Sequence, residues 1–265
     1  MAKIKKTLTS IGIWLALQIV VTVPFAIFAM VKGIDAMEIM APALLISDAL
    51  VILVLWFMKY YRIKELFSTV PFKILLISLV LGCATFYAID ILSLPFNLPD
   101  IMSGIFKTMV KSFWGFLAIC IIGPVMEEIM MRRVILTEIS EATGKKWIGI
   151  IVSAAIFAIV HGNPIQIFFA MPAGILLGWL YCKTGSLLVP ICIHIMNNTV
   201  SFISIKVGSQ DKMEFSDPLT IVQLALCIIV AIALIIQIAV YYSRKEKQEA
   251  QALVQTEQTQ EITEQ

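Results

Sequence analysis

The sequence predicts an all-α, polytopic membrane protein of about eight transmembrane helices. Three observations carry that expectation. The 265 residues are 60% apolar and only 14% charged, with a mean hydropathy of +0.93, whereas a soluble domain is about 25% charged. The apolar residues fall in runs long enough to cross a bilayer core as helices. The Lys and Arg residues divide unevenly among the connections between those runs. A water-soluble enzyme, a disordered chain and a nucleic-acid binder are all excluded by this composition.

The runs lie near 10–31, 39–58, 74–94, 112–137, 147–161, 165–182, 186–205 and 219–242. The first follows a basic start, Lys3, Lys5 and Lys6, but its apolar stretch exceeds the 7–15 residues of a cleaved signal. It reads as an uncleaved first span. With eight spans, fifteen of the twenty Lys and Arg fall on one side and five on the other. The positive-inside rule then places both termini in the cytoplasm, with the bilayer as the surrounding solvent. The five cysteines, Cys83, Cys120, Cys182, Cys192 and Cys227, sit singly inside apolar runs. They read as buried thiols and not as a disulfide framework or zinc site. Residues 1–242 thus form one membrane domain. Residues 243–265, rich in Gln and Glu, are expected to be a disordered polar cytoplasmic tail.

Ionisable groups inside apolar runs are costly and usually face a cavity or a partner. They are Asp48, Asp90, Glu127, Glu128, Arg132, His161 and His194, and five of the seven fall between residues 127 and 194. On the fourth run, Glu128 and Arg132 are i,i+4 and can pair on one helical face. Glu127 is turned about 100° from Glu128 and is less compensated, which suits a general base. His161 ends the short fifth run, just before the helix-breaking Gly162-Asn163-Pro164. On the seventh run His194 and Asn198 share a face and offer two donors toward one point, as an oxyanion requires. The competing structural reading is interhelical hydrogen bonding. Asn197 points off that face. Asp48 and Asp90 find no role beyond partnering hydroxyls or water near the outer face.

These residues, Glu-Glu-x-x-x-Arg at 127–132, Phe-x-x-x-His at 157–161 and His-x-x-x-Asn at 194–198, resemble the motifs of the CPBP intramembrane proteases. That group contains the type II CAAX prenyl endopeptidases and the Abi-type bacteriocin-immunity proteins. Ala173 to Gly178, Lys183 to Ser186 and Pro190 also look like the family's sixth span and following turn. The resemblance covers a core of about residues 110–205, and departs at Arg133, where the family commonly has glycine.

The resemblance implies motif residues on the fourth, fifth and seventh helices lining an intramembrane cavity, in a bacterial cell membrane. It implies a peptidase in which Glu127 and His161 activate water, His194 and Asn198 stabilise the oxyanion, and Glu128 and Arg132 orient the site. The substrate would be a membrane-associated peptide or lipidated peptide. No cofactor is favoured, although Glu127, His161 and His194 would be the ligands if Zn2+ or another divalent metal were bound. HExxH is absent, as are Gly-x-Ser-Gly and Gly-x-Gly-Asp. A non-catalytic immunity or scaffold protein of the same family is the alternative, and the lack of internal repeats speaks against a transporter.

One geometric condition attaches to this reading. At about 1.5 Å per residue, Glu127 and His161 lie about 20–25 Å from the cytoplasmic helix ends and His194 about 12 Å. The catalytic arrangement requires that they converge.

Overall fold

The computed structural model describes residues 4–67, 69–208 and 213–263. Lys3, Lys212 and the last two residues of the tail lie outside the described residues. Only helices and connections occur among those described.

Helix α1 spans Lys5–Lys32 and α2 Ala36–Phe57, packed along each other. A short α3, Ile63–Leu66, precedes α4, Phe72–Ser93. After α5, Ser103–Met109, one long span is assembled from α6, Phe113–Phe116, a π-helical stretch Leu117–Ile122, α7, Gly123–Glu128, a second π-helical stretch Ile129–Leu136, and α8, Thr137–Thr143. Then follow α9, Lys146–Val160, α10, Pro164–Thr184, α11, Leu188–Val207, and α12, Pro218–Thr263.

Seven of these helical segments are long and apolar enough to cross a membrane. The expected fifth span corrects the count of eight. Helix α9 has 15 residues, so its length of about 22 Å falls short of the roughly 30 Å hydrocarbon core. Large apolar side chains of α1 and α12, such as Ile19, Phe28, Ile229 and Ile236, are exposed. A continuous apolar exterior of this kind is the surface of a protein that faces lipid. The cysteines follow the same division: Cys120 is buried, but Cys83 is exposed on the exterior and the other three are half-buried. All are free thiols, so burial of the full set is corrected and the absence of disulfides holds among the described residues.

Two apolar clusters hold the bundle together. Leu55 of α2, Met130 and Ile135 of the second π stretch and Phe157 of α9 belong to one. Leu81 of α4, Leu177 of α10, Ile193 of α11 and Ile238 of α12 belong to the other. Gly82 permits the approach of α4 to α11, because a Cβ there would sit 2.5 Å from Ile193 Cγ2. That contact seats the turn carrying His194. Beyond Tyr242, α12 continues through the polar tail to Thr263. Its Lys245 and Glu249 pair at i,i+4, 3.7 Å apart. The helix departs from the expectation of a disordered tail, and its composition of Gln, Glu, Ala and Lys favours helix locally.

Candidate active site

The span that carries Glu127 is not a regular α-helix. Pro124 has no N–H to donate, and its ring crowds the carbonyl one turn earlier. The turn before it widens accordingly, and Gly123 N–H donates to Ala118 O, five residues back. A second widened stretch begins just after Glu128, and Thr137 Oγ1 donates to Arg132 O across the same five-residue interval. Such π-helical segments re-aim side chains and often accompany functional sites.

Glu128 and Arg132 are fully buried and paired, with Arg132 Nε 2.9 Å from Glu128 Oε2 and Nη2 donating to Oε1 at 3.3 Å. The Nε contact is too bent for a hydrogen bond, and Nη1 has no hydrogen-bond partner. The guanidinium lies over the Phe157 ring, 5.2 Å from its centroid.

His194 stands between the two carboxylates. Its Nδ1 lies 2.9 Å from Glu128 Oε1, and its Nε2 lies 3.5 Å from Glu127 Oε2. Glu127 and Glu128 thus meet the same imidazole, from different sides. The two nitrogens occupy opposite edges of the imidazole, so adjacent residues 100° apart can each reach one of them. Phe157 contacts both histidines edge-on, with ring centroids 4.8 Å from His161 and 5.7 Å from His194.

His161 caps α9, and its Nδ1 lies 2.7 Å from Phe157 O. A carbonyl only accepts, so Nδ1 carries the hydrogen and, in the neutral ring, Nε2 keeps its lone pair. Asn198 Nδ2 donates to Ile119 O at 2.9 Å, and its Oδ1 accepts from Asn197 Nδ2 at 3.3 Å. Asn197 thus supports Asn198 from the same side. Arg133, where the resemblance has glycine, leaves the site and pairs with Glu65 through Nε at 2.7 Å.

Glu127, His161, His194, Asn197 and Asn198 all line one cavity of about 780 Å³. Contacts join His194 to Glu127 and Glu128, while His161 shares the lining of the same cavity. The depth difference counted from the sequence assumed that all helices start in one plane, and the short α9 and the widened turns remove that premise. The same cavity receives Asp48 from α2 and Asp90 from α4, so neither is confined to partnering hydroxyls at an outer face. Asp48 accepts a hydrogen bond from Gln18 Nε2 at 2.8 Å, and Ser47 Oγ donates to Gln18 Oε1 at 3.1 Å. Sequence reasoning flagged Asp48 but had no signal to join α2 to Glu127. It read Asn163 only as part of a helix break. That side chain is fully buried, accepts from Ile101 N–H, and donates to Asp100 Oδ1 at 2.9 Å.

Among the described residues no three His, Cys, Asp or Glu side chains group as a metal cage. Glu128 is engaged by Arg132 and His194, and His161 turns Nδ1 to a carbonyl.

Residues 109–200 match the family of Rce1-like type II CAAX prenyl endopeptidases. The chain is similar to "Putative membrane peptidase YdiL" of Bacillus subtilis (strain 168), 37% identical over 79 residues, 30% of this chain and 32% of that protein. It is also similar to "Membrane-embedded CAAX protease MroQ" of Staphylococcus aureus (strain USA300), 37% identical over 87 residues, 30% of this chain and 34% of that protein. The chain spans about a third of the length of these curated relatives. No solved structure matches it. The matched segment contains every motif residue from Glu127 to Asn198, and the family resemblance read from those motifs holds.

Proposed function

We propose that this integral membrane protein, whose residues 109–200 match the Rce1-like type II CAAX prenyl endopeptidase family, is an intramembrane endopeptidase. It hydrolyses a peptide bond of a membrane-associated peptide or lipidated peptide inside the cavity. The observation that carries the reading is His194 held between Glu127 and Glu128 in a cavity that His161 and Asn198 also line.

Glu127, with His161 Nε2 beside the same space, takes a proton from water as the oxygen attacks the scissile carbonyl. His194 Nε2–H and the second N–H of Asn198 then receive the oxyanion. Glu127 passes the proton to the leaving amine as the C–N bond breaks. Glu128 and Arg132 act through His194: Glu128 fixes the ring by accepting from Nδ1, and Arg132 holds Glu128.

Glu127→Ala and His161→Ala should each lower cleavage of a fluorogenic transmembrane peptide in liposomes by about 10²-fold or more. Their circular dichroism and elution profiles should match the parent protein. If both variants instead keep the protein's full biological activity in cells, the enzyme reading falls and the protein works as a peptide-binding immunity or scaffold protein. Metal dependence is decided separately, by chelator treatment followed by re-addition of Zn2+.

A further inference from the structure

Pro124 leaves one carbonyl of the span that carries Glu127 without a helical partner. In an α-helix Ile119 O would accept from Gly123 N–H, but that N–H donates to Ala118 O instead. Across the wider, five-residue interval of the π-helical stretch, Ile119 O would accept from position 124, and a proline has no N–H. A bare carbonyl is costly inside a membrane and is satisfied by a side chain from a neighbouring helix. Here that side chain is Asn198 of α11, whose Nδ2 donates to Ile119 O at 2.9 Å. The same stretch holds Asn198 by a second contact, in which the buried Cys120 Sγ donates to the Asn198 backbone O at 3.6 Å. Gly123 fits the widened turn as well, since a Cβ there would sit 2.7 Å from Ala118 O.

Because a carbonyl only accepts, this contact fixes which end of the Asn198 amide faces Ile119. The nitrogen turns to the span, and the oxygen receives Asn197 Nδ2 at 3.3 Å. The amide's other N–H is the one that the proposed chemistry uses, and Ile119 and Asn198 both line the cavity that holds Glu127. We infer that Pro124, by withholding an N–H from Ile119 O, is a positioning residue that orients the Asn198 amide toward the oxyanion. This rests on the hydrolytic reading above and gives a role to a residue outside its motifs. An N–H restored at position 124 would compete with Asn198 for Ile119 O, and the amide would lose its orientation.

Pro124→Ala restores the N–H. Replacing Pro124 by lactic acid, the ester counterpart of alanine, removes it again without restoring the ring. Each full-length protein is made by cell-free synthesis into liposomes and assayed on the fluorogenic transmembrane peptide. Pro124→Ala should lower kcat about tenfold or more, with KM within about twofold of the parent. Its unfolding temperature should stay level or rise, since the helix gains a hydrogen bond. The lactic acid protein should recover kcat to within about threefold of the parent. The loss in Pro124→Ala should not multiply with that in Asn198→Ala, because both act through one amide. In infrared spectra an isotope-labelled Ile119 carbonyl should shift to higher frequency in Asn198→Ala, a readout that needs neither cleavage nor a change at Pro124. Unchanged kcat in Pro124→Ala, equally low kcat in the alanine and lactic acid proteins, losses that multiply, or an unshifted Ile119 band overturns the inference. A shifted band in a protein whose parent cleaves nothing overturns only the hydrolytic reading.

Discussion

Arg132→Met removes the one cation that compensates Glu128 in the interior. Both side chains have no exposure, and their closest contact is 2.9 Å. Methionine fills the volume of the Arg stem, so the change acts mainly on charge. Glu128 is then left buried with only His194 Nδ1 against it. Breaking a buried pair from one side costs about 3–5 kcal/mol, whereas replacing both members is often neutral. The loss of the guanidinium from the Phe157 face works in the same direction, by roughly 1–2 kcal/mol for a desolvated contact. We therefore expect Arg132→Met to destabilise by about 3–5 kcal/mol and Glu128→Gln/Arg132→Met to recover most of that loss. Reversible unfolding in mixed micelles, followed by tryptophan fluorescence over a full double-mutant cycle, measures both. A single variant within about 1 kcal/mol of the parent would refute the view that this pair is a buried, mutually dependent unit.

Two further outcomes follow from the same geometry. Asn198→Ala should lower kcat by about 10²–10³-fold with little change in KM, because an oxyanion donor acts in the transition state; a fall in KM-controlled binding alone would contradict that role. The second concerns Glu65, outside the spans. Burial pushes its carboxyl up, but the hydrogen bond from Arg133, the Arg62 N–H and the two guanidinium charges outweigh this and hold it below its ordinary 4.5. A depressed carboxylate contributes stability above the unfolded pKa and loses it as pH falls through the folded one. Acidification below about pH 4.5 should thus cost the parent protein less than about 1 kcal/mol that Glu65→Gln does not lose, as thermal unfolding across that range would report.

Much of this site was legible in the sequence because charges inside apolar runs are rare and their positions are therefore informative. Glu127, Glu128, Arg132, His161, His194 and Asn198 were all named there, and one cavity collects the residues of the proposed chemistry. That Glu127 and Glu128 share His194 was not legible from their 100° separation on the helix. A wheel gives directions from one axis but no information about an imidazole that approaches from another helix. The count of eight spans is not matched by the seven helices long and apolar enough to cross, for a related reason. Hydropathy marks α9 as apolar, but its 15 residues and the break at Gly162-Asn163-Pro164 make it a short element.

The sequence by itself determined the solvent, the helical class and the residues with chemistry, because the cost of desolvating polar groups acts on every residue regardless of its partners. Tertiary structure alone decided which of those residues meet. It set His194 against both glutamates, widened the turns around Pro124, and brought Asp48, Asp90 and Asp100 to the cavity that holds Glu127. Those contacts join residues far apart in the chain, and they depend on helix ends, packing and register that no local pattern encodes.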